Sequence, residues 1–238
     1  MLPYLDSNSP FPSTELALDE PNGLLAAGAD LSKERLVNAY SNGIFPWYSS
    51  GEPILWWSPD PRCVFNIPNF KPSRSLCRLI KKEQFVATLN KDFKQVIDLC
   101  AQPTSERPST WITNDMKLAY GELHKEGFAH SLEIWKNSKL VGGIYGVSIG
   151  KLFCGESMFS RISNGSKIAL SCLIGYLKTN NFGLLDAQVE NQHLFSLGAI
   201  SMTRREYIEN TKKLTSQPVK NDLWSTKELS LATLISRS

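Results

Sequence analysis

The stretch from Leu140 to Ser160, LVGGIYGVSIGKLFCGESMFS, constrains the fold of this chain more than any other. Val141 to Val147 and Leu152 to Phe159 are apolar, strand-like runs, joined by Ser148-Ile149-Gly150. Gly142, Gly143, Gly146 and Gly155 weaken such strands unless a bulge or a close ligand requires them. Alternation places Cys154, Glu156, Met158 and Ser160 on one face of the second run, and Phe153, Ser157 and Phe159 on the other. A carboxylate among apolar residues must be paired, hydrogen-bonded or functional. The stretch is therefore either a buried hairpin with one structural Glu or part of a site.

The rest of the sequence narrows the class. A length of 238 residues with 42% hydrophobic content suits one large domain or a small and a medium one. The net charge of +3 is too small to prove a nucleic-acid partner, but its distribution is uneven. Between Lys71 and Lys94 seven basic residues face only Glu83 and Asp92. Such a window is a candidate phosphate footprint or a solvated charged face. The five cysteines, at 63, 77, 100, 154 and 172, are odd in number and irregularly spaced. That argues against a zinc site and a disulfide framework, and for a reducing compartment. His124, His130 and His193 have no metal-ligand spacing, so no metal is expected. The first residues lack a basic and apolar leader pattern, and no run reaches membrane-spanning length. A cytoplasmic protein with no membrane partner is the expectation.

Residues 1 to 29 read as irregular structure with short apolar anchors. Asp30 or Ser32 caps a helix over Lys33 to Ser41 with Leu36, Val37 and Tyr40 on one face. GIFPWYSSGEPILWWSPDPRCVF then gathers Phe45, Trp47, Tyr48, Trp56 and Trp57 among prolines. Aromatics on a stiff loop form either a stacking wall for a base or the core of a small domain, and Trp56 and Trp57 are assigned to core. Ser73 caps a helix to Lys82 with Arg74, Arg78, Lys81 and Lys82 in front and Leu76, Cys77, Leu79 and Ile80 behind. A strand at 85–90, a helix from Asp92 to Cys100 and a polar linker at 102–109 follow. Thr113 caps the next helix, whose stripe is Met116, Tyr120 and Leu123; His124 is read as a partner of that helix's C-terminus. Phe128 to Trp135 reads as a strand, and Ser166 to about Lys178 as a helix. In the strand LLDAQV, 184 to 189, Asp186 and Gln188 share a face, roughly 6.6 Å apart along the chain. An acid beside an amide there is a chemical feature or the wet face of an edge strand. ENQHLFSLGAI is a short helix, and Trp224 suggests that the tail docks.

Seven segments in order resemble the leucyl/phenylalanyl-tRNA–protein transferase family: EPNGLLAAGADLS (20–32), GIFPWYSSGEPILWWSPDPR (43–62), TWITNDM (110–116), AHSLEIW (129–135), LVGGIYGV (140–147), LFCGESMFS (152–160) and LLDAQVENQHLFSLGA (184–199). The resemblance runs from about Phe11 to Arg205. Small departures occur at Ala29, Gly165 and Ala187, and at Ile144 and Leu173, which bear on donor preference. One methylene there discriminates by only about 1–3 kcal/mol. The resemblance implies transfer of Leu or Phe, also Met, from aminoacyl-tRNA to the N-terminal Lys or Arg of a protein, marking it for N-degron degradation. It also implies an α/β (α+β) fold: a small N-terminal domain, taken as 1–62, and a domain similar to the GNAT acyltransferases with a mixed central sheet, taken as 63–238. The alternative seam is 102–109. No cofactor is implied, and no coenzyme A: the chain lacks an (Arg/Gln)-x-x-Gly-x-(Gly/Ala) loop, and Arg161 to Ser166 does not fit one.

The implied reaction is aminolysis of an ester by an α-amine of pKa about 7.7–8.0, much of it within reach of neutral pH without a strong base. Positioning is worth about 7–11 kcal/mol in the best intramolecular cases, and each oxyanion donor about 3–4 kcal/mol. The resemblance puts the catalytic pair at Asp186 and Gln188; Gln188 is expected to hold the amine through its side-chain oxygen, and Asp186 to orient or polarise Gln188 and favour proton removal. Glu156, joined by Asn191, is expected to pair with the incoming Lys or Arg, where charge complementarity would explain a basic acceptor, or with the α-ammonium of the aminoacyl group. Ile144, Phe153, Met158 and Leu173, with Ser160 at the rim, are expected to form the aminoacyl slot. Trp47 and Trp111 are expected to stack the terminal adenine, and Arg74, Arg78, Lys81 and Lys82 to take tRNA phosphates. Four competitors remain: a thiol enzyme using Cys154 with His130 or His193, a coenzyme A acetyltransferase, a cell-wall aminoacyltransferase and a non-catalytic tRNA-binding protein.

Overall fold

The structure is a computed structural model that describes residues 2–103 and 110–235. The alternative seam at 102–109 falls mostly outside the described residues. The first part of the chain gives β1 (Tyr4–Leu5), β2 (Leu24–Gly28), α1 (Lys33–Ser41), β3 (Phe45–Pro46) and β4 (Leu55–Trp57). These strands make a mixed sheet in the order β1-β2-β4-β3. The expectation of irregular structure over residues 1–29 is thus corrected: LLAAG forms β2, whose pairing partners lie elsewhere in the chain and leave no local pattern. Trp56 is fully buried, donates from Nε1 to the Gly28 oxygen at 2.9 Å, and meets Phe11 edge-on. Trp57, expected in the core, is only half-buried and donates to the Trp47 oxygen at 2.7 Å.

The remainder gives β5 (Arg62–Asn66), α2 (Arg74–Lys82), β6 (Val86–Leu89), α3 (Phe93–Cys100), α4 (Asn114–Lys125), β7 (Ala129–Lys136), β8 (Lys139–Ile149), β9 (Leu152–Ser160), α5 (Gly165–Thr179), β10 (Leu184–Gln188), α6 (Gln192–Ser196), β11 (Ile200–Met202), α7 (Arg204–Thr215), β12 (Lys227–Leu229) and α8 (Leu231–Leu234). Among the described residues its sheet has eight strands, ordered β11-β5-β10-β9-β8-β7-β6-β12. It is mixed, because β9 and β10 run parallel while the other neighbours are antiparallel. Helices start where capping chemistry directs. Ser32, Ser73, Asp92 and Thr113 each accept a first-turn amide at 3.0–3.4 Å.

Apolar groups fill both sides of this sheet. On one side Tyr145, Val147, Leu152 and Cys154 pack with residues of α1, α3, α4 and α7 and with the small sheet. On the other Ile144, Phe153 and Leu185 pack under α5, α2 and α8. Each such Leu, Ile or Phe removed from water contributes about 1.5–3 kcal/mol. The tail docks as expected: Trp224 stacks on His130 at 4.2 Å, and β12 pairs with β6.

Two bulges break the regular alternation and shape the centre. Tyr145 pairs with Ser157 while Gly146 pairs with Gly155, so Glu156 is an extra residue in β9. Side-chain parity inverts there. Cys154 packs on the same side as Phe159, and Phe153 on the same side as Met158, which corrects the simple alternation. Gly146 is obligatory: a Cβ there would lie 2.1 Å from the Cys154 oxygen. In β10, Asp186 pairs with Val64 and Gln188 with Cys63, leaving Ala187 as the extra residue. Gln188 takes a left-handed φ of 63°, a conformation uncommon for a side-chain-bearing residue. Pairing between β9 and β10 runs only as far as Asp186 with Cys154. Beyond that pair the parallel strands part, and the space between them opens into a cavity.

Candidate active site

Two buried carboxylates stand on the parting strands. Asp186, fully buried on β10, receives Arg62 Nε at 2.8 Å and Arg62 Nη2 at 2.7 Å. Tyr207 of α7 donates its hydroxyl to Asp186 Oδ2 at 2.8 Å, and the Gln188 amide donates to Oδ1 at 2.9 Å. Arg62 also donates to the Gly43 oxygen at 3.0 Å, and it lies between the rings of Phe45 and Tyr207, 4.7 and 4.5 Å from their centroids. Burial works against the Arg62 charge, but the adjacent Asp186 carboxylate more than offsets it, so the guanidinium pKa is raised. The paired charges therefore hold the backbone of the bulge that carries Gln188. Asp186 acts on Gln188 through the Gln188 backbone amide, and Ala187 is the extra residue of the bulge between them.

Glu156 is held differently. Tyr40 of α1 donates to its Oε1 at 2.7 Å, Tyr120 of α4 to its Oε2 at 3.0 Å, and Gln188 Nε2 to its Oε1 at 3.0 Å. The two tyrosine hydroxyls also touch each other. No cation is among these partners. Burial pushes the Glu156 carboxyl up to about 7, even though the hydrogen bonds from Tyr40 and Tyr120 favour its charged form. Burial also pushes both phenols far above their ordinary value, so they remain donors. Gln188 is thus fixed at two points, its backbone by Asp186 and its side-chain nitrogen by Glu156. Its side-chain oxygen is left for a donor in the cavity.

That cavity, of about 340 Å³, is lined by Glu156, Gln188, Glu190 and Asn191. Its apolar walls include Phe65, Ile144, Met158, Leu170 and Leu185, and Trp47 and Trp111 stand at it from the small sheet and from the turn before α4. Trp47 is 43% exposed. The structure therefore gathers Gln188, Glu156, Asn191, Ile144, Met158, Trp47 and Trp111 around one space. Phe153 and Leu173 do not line it: both are 1% exposed and closed into the core under α5. Ser160 is also absent from the lining, donating instead to the Ile162 oxygen and accepting from the Ser166 amide in the first turn of α5. Asn191 caps α6, accepting from the Leu194 amide at 2.8 Å. Arg74, Arg78, Lys81 and Lys82 are exposed along α2, whose buried side meets α5.

Arg62, Tyr40, Tyr120, Tyr207 and Glu190 are site residues that no sequence spacing singled out. Tyr40 and Tyr120 were legible only as members of apolar stripes. The signal available was that a phenol in such a stripe needs a buried acceptor. The thiol alternative finds no support in the surroundings of Cys154. Burial and the Asp186 carboxylate push its thiol well above the ordinary range, and burial holds His130 down at about 3. His130 is engaged with the Gly127 oxygen and with Asn90, and His193 is exposed.

Known proteins give the chemistry a frame. Residues 64–212 match the family model described as leucyl/phenylalanyl-tRNA protein transferase, and residues 29–60 match that of its N-terminal domain. A leucyl/phenylalanyl-tRNA–protein transferase of Shewanella baltica is 51% identical over 93% of this chain and 93% of its own length. That of Shewanella piezotolerans is 49% identical over 96% of this chain and 97% of its own. Among solved structures, a conserved protein of unknown function from Staphylococcus epidermidis covers 76% of this chain and 68% of its own at 13% identity. Its TM-score of 0.41 is too low to carry an argument. The α/β fold, its central cavity and these matches define an aminoacyltransferase. More narrowly, the chain belongs to the leucyl/phenylalanyl-tRNA–protein transferase family.

Proposed function

We propose that this enzyme moves Leu or Phe, and also Met, from aminoacyl-tRNA to the N-terminal Lys or Arg of a protein, and so marks that protein for N-degron degradation. The observation that carries the reading is the two-point fixation of Gln188, by the Asp186 carboxylate at its amide and by Glu156 at its Nε2. In aminolysis the acceptor nitrogen attacks the ester carbonyl, a C–N bond forms, the C–O bond to the ribose breaks, and the amine proton ends on the departing ribose oxygen. Gln188 Oε1 accepts a hydrogen bond from the incoming amine and aims its lone pair at the ester. The contribution is one of position, within the about 7–11 kcal/mol available to alignment. Asp186 is a positioning residue: it holds the bulge and does not touch the substrate.

The donor side chain lies against Ile144 and Met158, together with Phe65, Leu170 and Leu185 of the cavity wall. Trp47 and Trp111 stack the terminal adenine, worth about 1–3 kcal/mol per base. Arg74, Arg78, Lys81 and Lys82 take tRNA phosphates, and the donor is aminoacyl-tRNA rather than a coenzyme A thioester. A division at residues 62/63 places β1–β4 in a separate small domain that contributes Trp47 to the site. Among the described residues no helix is long and apolar enough to cross a membrane. A tRNA-dependent reaction suits the cytoplasm.

The test is single-turnover transfer from Leu-tRNA to a peptide with N-terminal Arg, with an N-terminal Ala peptide and acetyl-coenzyme A as controls. The reading expects transfer to the Arg peptide alone and a loss of at least 10²-fold in rate for Gln188→Ala with tRNA affinity unchanged. Equal rates for Gln188→Ala and the parent would remove Gln188 from the mechanism. Transfer to the Ala peptide at the same rate would remove the basic-acceptor requirement.

A further inference from the structure

The expected binder of a basic acceptor side chain, Glu156, has its oxygens occupied. Oε1 takes Tyr40 and Gln188 Nε2, Oε2 takes Tyr120, and the residue is 8% exposed. A lysine or arginine finds one acceptor position left, on the Oε2 that Tyr120 already engages, and displacing Gln188 to reach Oε1 would free the amide that positions the amine. The cavity holds a second carboxylate. Glu190 follows β10 by two residues, lines the same space and is half-buried. Its Oε1 is held by the Ser201 hydroxyl of β11, and its Oε2 has no hydrogen-bond partner among the described residues. Glu156 and Glu190 are the charged side chains among the described residues that line the cavity, so no cation there neutralises them.

We infer that Glu190 is the specificity residue for the acceptor's basic side chain, and that Glu156 serves the reacting amine through Gln188. The inference rests on the basic-acceptor reading above. Gln188 and Glu190 are two residues apart, a span of at most about 7 Å of chain. A lysine stem or an arginine bridges such a distance between its own α-amine and its charge. The acceptor is then held at both ends, its α-amine on Gln188 Oε1 and its side-chain cation on Glu190 Oε2. Ser201 holds one oxygen of the Glu190 carboxylate, reducing the rotamer freedom lost on binding.

The experiment compares peptides beginning with Arg and with citrulline, an uncharged arginine isostere, using Leu-tRNA as donor. The parent enzyme is expected to favour Arg over citrulline in kcat/KM. Glu190→Gln is expected to lower that preference about fivefold, through KM for the Arg peptide, with kcat and the KM for Leu-tRNA unchanged. Glu190→Asp should retain part of the preference, and Ser201→Ala should lose a smaller part than Glu190→Gln. A parent enzyme that does not distinguish Arg from citrulline contradicts the basic-acceptor reading itself. A parent that does distinguish them, beside a Glu190→Gln variant with the full preference, overturns the role of Glu190 alone. A fall in kcat at unchanged preference, or a rise in KM for Leu-tRNA, overturns it as well.

Discussion

The two buried carboxylates of this site sit on neighbouring parallel strands and meet opposite electrostatic solutions. Asp186 is matched by a cation, with both oxygens on Arg62 and further donors from Tyr207 and the Gln188 amide. Glu156 is surrounded by neutral donors, two phenols and the Gln188 side-chain amide, and burial raises its pKa to about 7. The first arrangement fixes a charge and, with it, a backbone shape. The second leaves the proton exchangeable near neutral pH while still fixing the same glutamine. One rigid anchor and one titratable anchor converge on a single amide.

The Asp186 anchor is most vulnerable at Arg62. Arg62→Met leaves Asp186 buried without its cation and is expected to destabilise the fold by about 3–5 kcal/mol in urea unfolding. Adding Asp186→Leu should recover much of that loss. A loss under about 1 kcal/mol for the single variant would mean that the pair is not the rigid anchor.

A smaller effect belongs to the other carboxylate and depends on pH. Glu156 binds its proton more tightly folded, at about 7, than at its ordinary value of 4.5. Its contribution to stability is therefore full below the ordinary value and is lost as pH rises through 7. Relative to Glu156→Gln, the parent should lose about 3 kcal/mol of unfolding free energy between pH 4.5 and pH 8, because each tenfold gain in proton affinity on folding is worth about 1.4 kcal/mol. A flat difference across that range would place Glu156 with Asp186 as a fixed charge. Smaller again, Tyr120→Phe removes one donor from Glu156, with an expected loss of about 1.5 kcal/mol. Because that bond favours the charged form, the variant should move the Glu156 titration to higher pH.

How much of this was visible in the sequence follows from the range over which each signal acts. The capped starts of α1, α2 and α4 were legible because Ser32, Ser73 and Thr113 act on amides three residues away. The basic front of α2 was legible from helical period alone. The glycines of β8 and β9 announced a bulge or a close approach, and Gly146 opposite Gly155 lies at one. The position of the extra residue was not legible, so alternation puts Met158 with Cys154, whereas the bulge turns it to the side of Phe153. Asp186 and Gln188 could be singled out as polar groups on an apolar strand, but not the extra residue Ala187 or the left-handed φ of Gln188 that follows it. Arg62 and Tyr207 lie 124 and 21 positions from Asp186, and Tyr40 lies 116 from Glu156. No local period links residues so far apart, and only the packing of α1, α4, β5 and α7 around the central strands brings them together.

The contrast between the carboxylates is tested most directly by following the Glu156 carboxyl itself. With 13C placed at the carboxyl carbon of glutamate, the NMR titration of the folded protein should contain one resonance that titrates near pH 7. That resonance should be absent in Glu156→Gln. A Glu156 resonance titrating at the ordinary carboxylate value, between about pH 4 and 5, would contradict the account. Gln188 would then be held by two fixed charges rather than by one fixed and one exchangeable partner.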